Sequence, residues 1–164
     1  MLGRSEPAAG GYGTIPSWLP KPKVPVGRTV EASASHRRLA IEGDTVSVHL
    51  AHGRVLATAV GPAVPALTLP PPPTTRCTFI VTLASASGVV PLSARAFTIV
   101  DELGRLHRPL VTRRGGGPVP WRAGPGGPVT LVVRDVLPTG GGRLEWTPEG
   151  TQPIVSWDFD VEVD

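Results

Sequence analysis

One cysteine, one methionine and a 5% aromatic share leave this 164-residue chain short of the side chains that build redox pairs, thiolate metal clusters and base-stacking platforms. A lone Cys77 excludes an internal disulfide and a cysteine-rich metal cluster. No stretch approaches the roughly twenty apolar residues that a membrane-spanning helix needs. The segment Met1 to Gly11 has no hydrophobic signal core, so the expectation is a cytoplasmic chain or a leader lost ahead of Met1. There is no Gly-x-Ser-x-Gly elbow, and the glycine triples at 115–117 and 140–142 lack the Lys and Thr that grip phosphate. Helical periodicity is scarce too: Ser33 to Ile41 has room for two turns at most.

What the chain does have is a period of two. Val155, Trp157, Phe159, Val161 and Val163 alternate with Ser156, Asp158, Asp160, Glu162 and Asp164 without exception. Successive side chains of a strand point to opposite faces, so the apolar set shares one face and the acidic set faces water. A single strand cannot bury its own apolar face, and a sheet covered by a second layer is required. The acidic side chains on this strand read as solubilising groups that guard a sheet edge. Neighbours on one face stand about 7 Å apart along a strand, and calcium needs oxygens converging at roughly 2.4 Å, so they do not by themselves form a cation site.

The 20 glycines and 20 prolines cluster between short apolar runs and read as turns. Residues 1–27 have no period and form an expected flexible Pro/Gly-rich leader, leaving residues 28–164 as the ordered domain. Arg28 to Ser33 and Leu39 to Ile41 are strand candidates. Thr45 to Leu50 and Arg54 to Val60, joined at His52-Gly53, read as a hairpin. Residues 61–75, interrupted by Pro62, Pro65 and Pro70 to Pro73, are expected to cross between sheets as an extended connection. Further strands are expected at Cys77 to Leu83, Val89 to Leu92, Arg95 to Val100, Arg105 to Thr112 and Val129 to Val136. Arg143 to Thr147 would return from a glycine turn at Thr139 to Gly142. Some eight short strands with Gly, Pro and Asp turns give the pattern of an all-β, antiparallel sandwich.

The stretch from Cys77 to Asp164, with Cys-Thr-Phe-Ile-Val-Thr-Leu, Ala-Phe-Thr-Ile-Val-Asp-Glu-Leu-Gly-Arg-Leu-His, Val-Thr-Leu-Val-Val and Trp-Asp-Phe-Asp-Val, resembles immunoglobulin-like domains of unknown function from actinobacterial secreted and envelope proteins. The bias toward Arg, Ala, Gly, Pro and Val likewise resembles proteins of GC-rich actinobacterial genomes. The resemblance covers about half the chain. It implies an immunoglobulin-like β-sandwich outside the membrane, acting as a non-catalytic binding or structural module without a cofactor, on another envelope protein or a wall polymer.

Candidate contact residues are few. A net charge of +3 from 16 basic and 13 acidic residues is too small to argue for nucleic acid. Arg105, Arg108, Arg113 and Arg114 would hold an anionic glycan, phosphate or acidic protein if they converged at one end of the sandwich. Trp18 and Trp121 fall in loops, where exposed Trp marks contact surfaces, whereas Trp146 and Trp157 fall at inward strand positions. His36, His49, His52 and His107 raise an accessory copper- or zinc-handling alternative, centred on His49 and His52, but Cys77 lacks the nearby His and Met of a blue-copper site. Cys77 reads as a small buried residue. A hydrolase whose groups converge only in three dimensions is the remaining alternative.

Overall fold

The computed structural model describes residues 29–66, 70 and 72–162. The leader assigned to residues 1–27, with Trp18, lies outside the described residues, as do Val163 and Asp164. The described residues form eleven strands: β1 (Val30–Ser33), β2 (Arg38–Ile41), β3 (Thr45–His49), β4 (Gly53–Ala63), β5 (Thr74–Gly88), β6 (Phe97–Val100), β7 (Leu106–His107), β8 (Leu110–Arg113), β9 (Val129–Pro138), β10 (Gly140–Trp146) and β11 (Val155–Val161). One sheet has the order β1-β3-β4-β5-β9-β8, the other β2-β11-β10-β6-β7. Their inner faces share one core, a sandwich-like arrangement.

Period-two burial builds that core. Val155, Trp157, Phe159 and Val161 of β11 are buried, as are Cys77, Phe79, Val81 and Leu83 of β5 and Val129, Leu131 and Val133 of β9. Phe79 meets Phe159 edge to face across the gap, with ring centroids 4.7 Å apart. Trp146 stacks on Phe97 of the neighbouring strand at 6.0 Å. Both core tryptophans are fully buried, as their inward positions predict.

Several expectations are corrected. Ser33 to Ile41 does not wind; it is split between β1 and β2, which lie in opposite sheets. Both sheets are mixed rather than purely antiparallel, because β1 runs parallel to β3 and β2 parallel to β11. The cause is a zigzag: the chain turns at Ser33–His36 into the second sheet and at Ile41–Asp44 back into the first, so β1 and β3 run the same way. β11 is not an edge strand, since β2 and β10 flank it; its acidic residues guard no edge.

The predicted crossing at residues 61–75 is absent, because β4 and β5 are antiparallel neighbours in one sheet. Crossings occur instead where the sequence suggested continuous strands or hairpins. Buried Pro109 divides Arg105 to Thr112 into β7 and β8 on opposite sheets. Thr139 likewise passes the chain from β9 to β10, so that segment is no hairpin. Val89 to Leu92 contributes a single bridge, Pro91 to Arg122, and Ala94–Ala96 form a 3₁₀ turn ahead of β6. The β3–β4 hairpin forms as expected.

Candidate binding surface at the loop end

The strand registers sort every connection to one of two ends. At one end, called here the loop end, lie residues 34–37, 50–52, 89–96, 114–128 and 147–154. Their backbones are tied to each other. Leu92 N donates to Trp121 O at 2.9 Å and Ala123 N to Val90 O at 2.9 Å, which holds 121–123 against 90–92. Thr147 N donates to Ala96 O at 2.8 Å, and Ala51 N to the Glu149 carboxylate at 3.0 Å. The Arg37 guanidinium donates to Gln152 Oε1. Gly88, at φ +68°, is required by this packing, since a Cβ there would lie 2.2 Å from His52 O.

On this tied backbone Trp121 stands 71% exposed. The Arg122 guanidinium sits over the ring, 4.7 Å from its centroid. Arg37, Arg38, Arg54, Arg95, Arg113 and Arg114 are exposed around the same end. Glu149 is the single carboxylate on the five connections. Among the described residues none of these arginines forms an ion pair. The loop end is therefore a cationic surface with a fixed indole at its rim.

The four arginines singled out by sequence do not all converge. Arg113 and Arg114 lead into the connection that carries Trp121. Arg105 lies in the β6–β7 turn at the opposite end, and Arg108 sits on the crossing between sheets. Arg95 and Arg122 belong to the surface instead, but each stands isolated in sequence, so clustering along the chain gave no signal for them. His36, His49 and His52 also reach the loop end, whereas His107 lies elsewhere. Among the described residues no three His, Cys, Asp or Glu side chains are arranged to hold a metal.

The opposite end carries a cluster that sequence reading missed. His107 Nε2 lies 2.7 Å from Asp101 Oδ2, and its Nδ1 3.6 Å from Asp135 Oδ1, so one imidazole joins β6 of one sheet to β9 of the other. Asp101 Oδ1 also accepts from Leu103 N at 2.8 Å and Arg105 N at 2.9 Å. The bond from His107, with help from these amides, holds the Asp101 carboxyl below its ordinary range. The available signal was Asp135, an acid at an inward position of the series Val129, Leu131, Val133, Asp135, Leu137. Cys77, paired with Asp135 in register, has its thiol pushed up to about 11 by burial and then by that carboxylate, which leaves it protonated and unreactive at neutral pH.

Two grooves flank β11 at this acidic end. A groove of about 370 Å³ lies between Asp101, Glu102, Gly141, Gly142 and β11, and a larger one of about 730 Å³ lies between β11, Glu42 and the end of β4. Asp158, Phe159 and Asp160 line both. Gly142 makes the partition possible: a Cβ there would fall 2.6 Å from the Phe159 ring. Among the described residues no helix is long and apolar enough to cross a membrane. No protein-family model, curated protein or solved structure matches this chain.

Proposed function

We propose that this protein is a non-catalytic, immunoglobulin-like binding module that grips an anionic partner at its loop end. The observation that carries the reading is Trp121, 71% exposed on hydrogen-bonded backbone with Arg122 over its ring, at an end whose further exposed arginines have no carboxylate partners among the described residues. A large ring held in place loses little freedom on binding, and Trp and Arg are the residues in which contact energy concentrates. The immunoglobulin-like part of the reading is supported by strand order. From β4 onward, β4-β5-β9-β8 follows the order A-B-E-D, and β11-β10-β6 followed by β7 the order G-F-C with an added C′ strand. A single buried Cys77 on the B-equivalent strand means that no B–F disulfide forms; the stacked Phe97–Trp146 pair and Trp157 fill the core there. A place in a bacterial envelope follows from the resemblance of the Cys77 to Asp164 segment.

The test is a fluorescence titration of the full chain with dextran sulfate, with uncharged dextran as control. Dextran sulfate is expected to bind and dextran not. W121A and R113E/R114E should each weaken the interaction about tenfold or more, as the loss of a contact worth at least about 1.4 kcal/mol implies. Binding that neither variant weakens sinks the proposal.

A further inference from the structure

We infer that the anionic partner is a second copy of this chain, whose larger acidic groove receives Trp121 and Arg122 in a head-to-tail contact. This rests on the loop-end reading above and goes beyond it by naming the partner. The groove is lined by apolar Ile41, Val60 and Phe159 and by the carboxylates Asp158, Asp160 and Glu162. Ile41 is 65% and Val60 50% exposed, an apolar area that water covers poorly in the isolated chain. An indole ring with a guanidinium lying on one face matches this lining in both respects: the ring covers Ile41 and Val60, and the cation meets carboxylates that have no ion-pair partner among the described residues.

The two surfaces cannot meet within one molecule. They lie at opposite ends of strands such as β4, whose 11 residues span roughly 35 Å. The contact is therefore between molecules. Because it joins two different surfaces, each copy added leaves one free loop end and one free groove unless the rotation between copies closes a ring, and assembly is expected to proceed as a row. Screening should dissolve it, since raising salt from about 0.1 M to about 1 M shortens the reach of the charges from about 10 Å to about 3 Å.

Sedimentation of the full chain over a range of concentrations tests this. The expected result is a mean mass that climbs past the dimer with concentration in about 0.1 M salt and falls to the monomer in about 1 M. W121A/R122A lacks the plug and D160K/E162K lacks the socket, so each alone should remain monomeric, while an equimolar mixture gives a 1:1 complex that grows no further. Asp160 and Glu162 are exposed, and a thermal melt matching the parent shows that the groove variant is folded. D160K/E162K should bind dextran sulfate as the parent does. A monomer at about 1 mM protein, where even a millimolar contact would be half formed, overturns the self-contact while dextran sulfate binding upholds the loop end. A closed dimer indifferent to D160K/E162K overturns it as well. Loss of both dextran sulfate binding and self-association removes both readings.

Discussion

The two ends of this sandwich are built by different means. At the loop end, main-chain hydrogen bonds link residues 90–92, 96, 121–123 and 147, and Trp121, Arg95, Arg113 and Arg114 face outward. At the acidic end, side-chain links join main-chain ones such as Glu42 N to Asp158 O at 2.8 Å and Gly43 N to Ala59 O at 2.6 Å. His107 bridges Asp101 and Asp135 across the sheets, Trp157 Nε1 donates to Asp44 O at 3.1 Å, and Glu102 Oε2 accepts from Gly141 N at 2.6 Å. The difference teaches where substitution should be tolerated. Trp121 and the unpaired arginines at the loop end are available for contact and contribute little to the fold, whereas Asp101, Glu102 and His107 at the acidic end are structural.

The sharpest way to break that comparison is at Phe159, which packs on Phe79 and forms part of both grooves. Phe159→Ala is expected to cost about 3–5 kcal/mol in urea unfolding, because a large cavity opens between the sheets. A smaller contrast separates the two core tryptophans. Trp157→Phe loses the hydrogen bond to Asp44, while Trp146 Nε1 has no partner among the described residues, so the first change should cost about 1 kcal/mol more than the second.

Acid should act on the acidic end first. The Asp101 carboxyl titrates below its ordinary value of 3.8 in the folded chain, so its stabilisation is complete above that value and is lost as pH falls below it. Stability measured between about pH 5 and pH 2 should therefore fall less steeply in Asp101→Asn than in the parent. The smallest effect is expected at the loop end. Trp121→Ala should leave the unfolding free energy within about 0.5 kcal/mol, although it removes a large exposed side chain. A large loss of stability there would show that Trp121 supports the loops rather than presenting a contact.

The alternation from Val155 to Val161 and the inward positions of Trp146 and Trp157 were legible because a strand's period fixes which side chains share a face. Which sheet a strand joins was not. Inward positions look alike whichever sheet they come from, so the crossings at Pro109 and Thr139 read as an uninterrupted strand and a hairpin. The parallel pairs were hidden for a related reason, since they follow from β2 visiting the opposite sheet between β1 and β3. Of the candidate surface, Trp121 was visible as a loop residue and Arg113 and Arg114 as a basic pair. Arg95 and Arg122 join them only through the hydrogen bonds and the bridge that place residues 90–92 beside 121–123. Asp135 was visible as a break in an apolar series, but its partners lie on two other strands.

The pairing of β2 with β11 gives the molecule a mechanical property. These strands, near the two ends of the described chain, lie side by side and point the same way through four residue pairs. Because β1 precedes β2 and starts at the end where β11 finishes, tension on the two ends of the described chain would reach this pair only after β1 had parted from β3, and would then stretch its hydrogen bonds together rather than peel them apart one at a time. Such a ladder resists pulling far better than a hairpin of the same length.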